Sequence, residues 1–425
     1  MPPFLNPRIA ISAAMVGASL LMPSAGSSSV QRAAQRRPAS DPAGDTAGDA
    51  AGDTVAGPLY QSFSIALFRD AAEHGSGNLF VSPVSAGVAL GMAYGGARGQ
   101  TRAEMGRTLG YGAMAPESVA AANARLLASL RDQKDVTLFI ANAIWAQRGV
   151  PLSPEYIADT RRDFSAGVDT VDFGSRAAVD AINGWAARST EGKIPTILAG
   201  PPDPRPELML TNAVYFKGQW AAKFDSAKTQ VRTFTRLDRS VVQRKMMTRT
   251  GEYAIRVMTA PGRIAVLRLP YAGNRFSMYL LLPDSGAGLA GAYRALETAP
   301  WQAAGNREQV HVVLPRFTIR TDVRLNDALK RLGMPGAFSG AADFSGMMAA
   351  GGPRRRFAIS DVRQSAYVDV SEEGTEAAAV TSIGIAATSF RGNEMVQFVA
   401  DHPFLAVLRD DQSGVILFMG QVTDP

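Results

Sequence analysis

Three observations predict an α+β fold with large antiparallel or mixed sheets in a single domain. Helical patterns crowd the early part of the chain and strand patterns the late part. No βαβ alternation links them. Patterned sequence also runs from Pro58 to Pro425 with no second low-complexity break. The 425 residues are 46% hydrophobic, 19% charged and 8% aromatic, which is globular usage and too apolar for a disordered chain.

At the N-terminus, Arg8, the apolar run Ile9 to Met22 and then Pro23-Ser24-Ala25-Gly26-Ser27 have the charged, hydrophobic, small-residue order of a secretory signal. Residues 1–26 are therefore expected to be a signal peptide. The run is shorter than the ~20 residues that cross a bilayer. No Cys follows it to carry a lipid, and no later stretch approaches spanning length. The expectation is an exported soluble protein, secreted or periplasmic, with no membrane partner. Residues 27–57 turn to Ala, Gly, Ser, Arg, Asp and Pro, with the repeat Ala43-Gly44-Asp45-Thr46, Ala47-Gly48-Asp49-Ala50 and Ala51-Gly52-Asp53-Thr54. Almost nothing there can be buried to offset the entropy of ordering, so the stretch reads as a flexible linker.

The domain 58–425 opens with an amphipathic helix carrying Leu59, Phe63, Ala66 and Leu67. Further helical patterns cover Ser85 to Met92, Thr101 to Leu109, Pro116 to Arg131, Ser175 to Ser189, Leu289 to Leu296 and Val323 to Leu332. Strand patterns cover Val136 to Trp145, Leu208 to Phe216, Val241 to Met247, Arg263 to Leu269, Phe276 to Leu282 and Val310 to Ile319. They continue at Ala366 to Val370, Val396 to Val399, Phe404 to Leu408 and Val415 to Val422.

Composition excludes much chemistry. The chain has no Cys, so disulfides, thiolate zinc sites, iron–sulfur ligation and a cysteine nucleophile are all ruled out. Its three His, His74, His311 and His402, are scattered singly; neither a metal nor a cofactor is expected. The net charge of +6 permits an acidic partner without demanding one. Arg354-Arg355-Arg356 and Arg244-Lys245 lack interleaved aromatics and read as solvated faces, so nucleic acid is not an expected partner. Gly286, Gly288 and Gly291 have dinucleotide-loop spacing, but Pro283 and Asp284 intervene and no returning parallel strand follows. Gly95 to Thr101 resembles a phosphate loop without its Lys, and there is no G-x-S-x-G elbow or H-E-x-x-H helix.

Ser371 to Glu394 is too long for an ordinary connection. Its first half has no Pro and, after Gly374, no turn former until Gly384, so it can become a strand. With period 2, Thr375, Ala377, Ala379 and Thr381 share one small, uncharged face, and Glu376, Ala378 and Val380 share the other. Helix over Glu372 to Ala379 is an equally weighted alternative on pattern alone.

Glu372-Glu373-Gly374-Thr375-Glu376-Ala377-Ala378-Ala379 resembles the proximal hinge of the serpins, in its inhibitory form. Asn78 to Ser85, with Ser82, Pro83 and Ser85, is similar to the serpin shutter segment, and Gly95 to Thr101 to the turn that follows its helix. Leu138 to Trp145, with Asn142, is similar to a central-sheet strand. Leu210 to Trp220, with Asn212, resembles the strand that enters the breach. Ile182 to Trp185 with Thr190 to Ile194, then His402-Pro403-Phe404 and Leu417 to Gly420, complete a likeness over essentially all of 58–425.

The resemblance implies the serpin fold, with three β-sheets, about eight to nine helices and an exposed reactive-centre loop. It implies a monomer that is not an enzyme, whose partner is a serine protease trapped as a covalent acyl-enzyme when the cleaved loop inserts into the central sheet. Usual loop length puts the cut bond at Thr388–Ser389, after Ile385-Ala386-Ala387, a bait suited to an elastase-like pocket; Ala387, Phe390 and Arg391 are the alternatives. Gln364 and Ser365 stand where many serpins have His then Lys, and Arg363 occupies the neighbouring, oppositely facing position. Gln364 can still hydrogen-bond to Ser82 and Asn212. Arg102 and Arg107 alone do not reproduce a heparin-binding helix. A bacterial-type member is suggested by the Lys-poor, Ala/Gly/Arg-rich style. A non-inhibitory carrier serpin and a hydrolase with an unrecognised triad are the competing functions.

Overall fold

The computed structural model describes residues 56–202, 206–259, 262–298, 300–303, 305–349, 356–375 and 395–425. Among them are eight α-helices and two hydrogen-bonded sheets. The first helix, Ala56–His74, begins ahead of Pro58; the signal-peptide expectation and nearly all of the linker lie outside the described residues.

The helix Pro83–Gly96 is almost wholly buried because its small residues let neighbours approach closely. A Cβ on Gly87 would lie 2.4 Å from the Tyr60 ring, so only glycine fits under that aromatic. Ser82 stands at the helix N-cap yet does not cap it; its hydroxyl donates instead to the Leu417 carbonyl at 2.6 Å. Helix Pro154–Phe164 was not expected from the pattern, although Ser153 accepts from Tyr156 N and Pro154 opens the first turn. It buries Tyr156, Thr160 and Phe164 at every fourth position, a stripe too narrow and too polar to stand out.

The nine-stranded sheet joins two strand groups. In one, Leu79–Val81, Ile416–Val422, Phe404–Asp410, Phe276–Pro283 and Ile264–Pro270 pair antiparallel in that order. In the other, Val396–Val399 pairs with Asn306–Pro315, and Gln230–Thr235 pairs with the start of Val241–Met258. The strand Val241–Met258 belongs to both groups, so what the sequence likeness counts as separate sheets is continuous in hydrogen bonding. Its charged outer residues explain why the pattern appeared to end at Met247. Because Phe276–Pro283 has antiparallel neighbours on both sides, the glycines after it form a turn: the Asp284 side chain accepts from Gly286 N and Ala287 N ahead of helix Gly288–Thr298.

The six-stranded sheet has the order Phe317–Arg324, Ile359–Val370, Gly374–Thr375, Leu208–Gln219, Val136–Gln147, Gly167–Val171. The expected run Val310 to Ile319 is two strands, since Pro315 and Arg316 pass the chain from the nine-stranded sheet to this one. The expected helix from Val323 shortens to Asn326–Arg331, because Val323 and Arg324 still pair with Gln364 and Arg363. At the centre, Ile359 to Tyr367 and Leu208 to Tyr215 pair in parallel. One face packs on the main core, and helix Arg176–Ser189 covers the other with Ala178, Val179, Ile182 and Ala186 near Met209 and Ala213.

One buried ion pair and one part-exposed histidine each generate a stability prediction. The Asp410 carboxylate is fully buried and receives Arg275 Nη2 at 2.8 Å; Arg275→Met should lower native stability by about 3 kcal/mol, read as the urea midpoint. His402 bonds to Asp401 Oδ1 at 2.8 Å and Pro283 O at 2.6 Å, and the Asp401 contact chiefly holds its imidazole above the ordinary value. Its stabilising effect is complete below about pH 6.5 and fades as pH rises through the raised value. Chemical denaturation between about pH 6 and 8 should therefore show a decline that is smaller in His402→Gln.

Candidate functional site

Beyond Tyr215 and Tyr367 the two central parallel strands diverge, and Gly374–Thr375 fills the opening. Thr375 pairs antiparallel with Val370 on one side and Gly218 on the other. Its hydroxyl, fully buried, shares a 2.7 Å hydrogen bond with Tyr271. Burial pushes the Tyr271 phenol far up, so it stays neutral. Gly374 has φ +149°, and a Cβ there would lie 2.0 Å from the Gly218 carbonyl oxygen, which admits no other residue.

Aromatic side chains floor this opening. Tyr271 stacks on Trp220 with centroids 4.5 Å apart and meets Phe216 edge-on at 4.9 Å. Trp220 Nε1 donates to Ser371 O at 2.9 Å, Trp220 N to Glu373 O at 2.9 Å and Phe224 N to Glu372 O at 2.9 Å. The two glutamates before the glycine are both paired. Arg316 Nη2 lies 2.6 Å from Glu372 Oε1, which also receives the Thr229 hydroxyl, and Lys223 Nζ lies 2.6 Å from Glu373 Oε2. Burial alone would raise the Glu372 carboxyl, but Arg316 and Thr229 outweigh it and hold it below the usual range.

A second cluster lies lower between the same strands. The Gln364 amide oxygen accepts from Ser82 N at 2.8 Å, and its nitrogen donates to Ser82 O at 2.8 Å and Asn212 Oδ1 at 2.6 Å. Asn212 Nδ2 donates to Asn142 Oδ1 at 2.6 Å and to the Ser85 hydroxyl. Asn142 Nδ2 is buried without an acceptor. All five side chains are buried and none titrates near neutral pH. Pro83 opens the helix that carries Ser85, while Arg363 points elsewhere and pairs with Asp361 at 2.8 Å.

The structure thus gathers Glu372, Glu373, Gly374, Thr375 and Trp220 at one end of the central ladder and Ser82, Ser85, Asn212 and Gln364 midway along it. Glu376, Ala377, Ala378, Ala379, Ala387, Thr388, Ser389, Phe390 and Arg391 lie outside the described residues. Tyr271, Thr229, Lys223 and Arg316 were not anticipated. Only Arg316 had a visible signal, a lone cation after Pro315 between two apolar strands. The histidines are separate: His74 bonds to Asp70 O, His311 to Thr250, and His402 as described above.

A family model described as Serpin (serine protease inhibitor) matches residues 58–425. Iripin-3 of Ixodes ricinus is 37% identical over 356 residues, covering 81% of this chain and 88% of its own. Leukocyte elastase inhibitor of Sus scrofa is 36% identical over 380 residues, covering 85% of this chain and 97% of its own. Among solved structures, human thyroxine-binding globulin complexed with thyroxine is similar at a TM-score of 0.78 and 25% identity, covering 88% of this chain and 99% of that one. A family model matched over 58–425, together with relatives 36% and 37% identical that are covered over most of their length, establishes that this chain belongs to the serpin family.

Proposed function

We propose that this serpin inhibits a serine protease irreversibly, offering residues 376–394 as bait and inserting the severed proximal arm between Leu208–Gln219 and Ile359–Val370. Family members are protease inhibitors rather than enzymes as a rule. The observation that carries the reading is the placement of Gly374–Thr375, already antiparallel to both strands of a parallel pair. Adding a strand to a sheet in this way draws on main-chain hydrogen bonds for energy and on alternate side chains for selectivity.

The register gives the insertion its detail. Continued from Thr375 opposite Gly218 and Val370, it brings Ala377 opposite Phe216 and Val368, and Ala379 opposite Val214 and Ala366. Thr381 then comes opposite both Asn212 and Gln364. All six of these partners are buried, so the small side chains enter the main core while Glu376 would stand beside exposed Lys217. Insertion separates Gln364 from Asn212, and the Thr381 hydroxyl can accept from one amide and donate to the other. Helix Arg176–Ser189, lying across the outer face, must give way as the strand passes beneath it.

The first residues of the arm are small, which favours inhibition over the carrier role that thyroxine-binding globulin raises. The bait Ile385-Ala386-Ala387-Thr388, with cleavage at Thr388–Ser389, fits an elastase-like protease, as does the relation to leukocyte elastase inhibitor. Ala387, Phe390 and Arg391 remain the alternative cleavage positions. Export by residues 1–26, a linker over 27–57 and a secreted or periplasmic monomer complete the proposal.

Incubation with an elastase-type protease should yield a complex that survives a denaturing gel, with a C-terminal fragment beginning at Ser389 by mass spectrometry. Nicking the loop should also raise the melting temperature; an unchanged midpoint would sink the mechanism. Thr375→Arg and Ala377→Asp place charge on the inward face and should convert the inhibitor to a substrate. Thr381→Val leaves Asn212 and Gln364 short of partners only after insertion, so it should destabilise the cleaved form by about 1–3 kcal/mol while sparing the uncleaved one.

A further inference from the structure

On the face of the six-stranded sheet opposite the main core, three aromatic rings stand in register across three strands. Phe139 pairs with Tyr215, and Tyr215 with Tyr367. Tyr215 follows Met209 and Ala213 at even spacing on this face, and Tyr367 packs against the same cluster. The Phe139 and Tyr215 rings stack with centroids 5.9 Å apart and planes at 16°, the Tyr215 and Tyr367 rings at 6.4 Å and 29°. Tyr215 is buried, with Phe139 and Tyr367 half-buried on either side. Tyr215 and Tyr367 are also the last paired rung before Leu208–Gln219 and Ile359–Val370 part around Gly374–Thr375.

The next side chains along this face look away from the seam. The Ser365 hydroxyl donates to Asp322 on the strand beyond, Arg363 pairs with Asp361 at 2.8 Å, and Thr211 accepts from Trp145 Nε1 at 2.8 Å. The tyrosine stack bridges it. Neighbouring strands lie about 4.8 Å apart, and a strand placed between them roughly doubles that separation. Rings already 6.4 Å apart then leave stacking range, which ends near about 7 Å. Tyr215 keeps Phe139, because the pairing of Val136–Gln147 with Leu208–Gln219 is untouched, and Tyr367 is the ring that loses its partner.

We infer that the Tyr215–Tyr367 stack is a clasp on the seam, broken before a strand can pass, and that it sets the rate of insertion. The inference rests on the insertion proposed above and names the residues that regulate it. Continued register brings Ala378 between the two rings, and a methyl group is small enough to pass there.

Uptake of a fluorescein-labelled peptide carrying residues 375–388 by the uncleaved full chain, followed as a rise in anisotropy, measures opening of the seam without any protease. Tyr367→Val should take up peptide about fivefold faster than the parent. Tyr367→Leu, which fills much of the space without a ring, should match Tyr367→Val, and Tyr367→Phe, which keeps the ring, should match the parent. Tyr367→Leu at the parent rate, or Tyr367→Phe as fast as Tyr367→Val, would show that volume or the hydroxyl controls the seam and would overturn the clasp. Uptake at one rate by all four chains overturns the clasp alone, whereas no uptake by any of them overturns insertion and the clasp together.

Discussion

The parallel ladder at the centre of the six-stranded sheet is the constraint from which the rest follows. Leu208–Gln219 and Ile359–Val370 run the same way, and each meets an antiparallel neighbour on its far side. Parallel pairing is slightly weaker per residue than antiparallel. One reversed strand between them would replace one weaker ladder with two stronger ones. Among the described residues a reversed strand stands between them at the divergent end alone, and there steric closure against Gly218 dictates glycine at 374. The paired glutamates, the Trp220 and Tyr271 stack and the buried Thr375 hydroxyl all fix Gly374–Thr375 in that opening.

The polar cluster around Gln364 joins the two parallel strands through hydrogen bonds rather than through interlocked apolar volume. Interlocked apolar side chains would resist separation by their volume, whereas hydrogen bonds can be handed from one partner to another at little net change. Ser82 shows how far the sequence bends to this end, giving up its helix cap to bond elsewhere. With Gln364 at this position the side chains that hydrogen-bond across the seam stay uncharged.

Much of this was legible beforehand. Apolar runs such as Phe276–Pro283 and Phe404–Asp410 declare themselves because they are buried on both sides. Ile359–Val370 was read only from Ala366 onward, since Asp361, Gln364 and Ser365 are polar and yet buried. A residue kept polar inside a core breaks the pattern that betrays a strand, and it does so where function lies. The hinge stood out for the opposite reason, an unusually uniform run of small residues. Tyr271, Thr229 and Lys223 left no trace, because their roles arise from contacts between distant segments rather than from local spacing.

The sheet order also bears on how the molecule is made. Leu79–Val81 is paired with Ile416–Val422, which lies far later in the chain. Phe276–Pro283 likewise waits for Phe404–Asp410 to cover one edge. Until the hairpin of Phe404–Asp410 and Ile416–Val422 is in place, the chain carries an unpaired hydrophobic strand and an incomplete core. The first half of residues 58–425 therefore cannot complete this core by itself, and a chain stopped before that hairpin would be a sticky fragment rather than a smaller serpin.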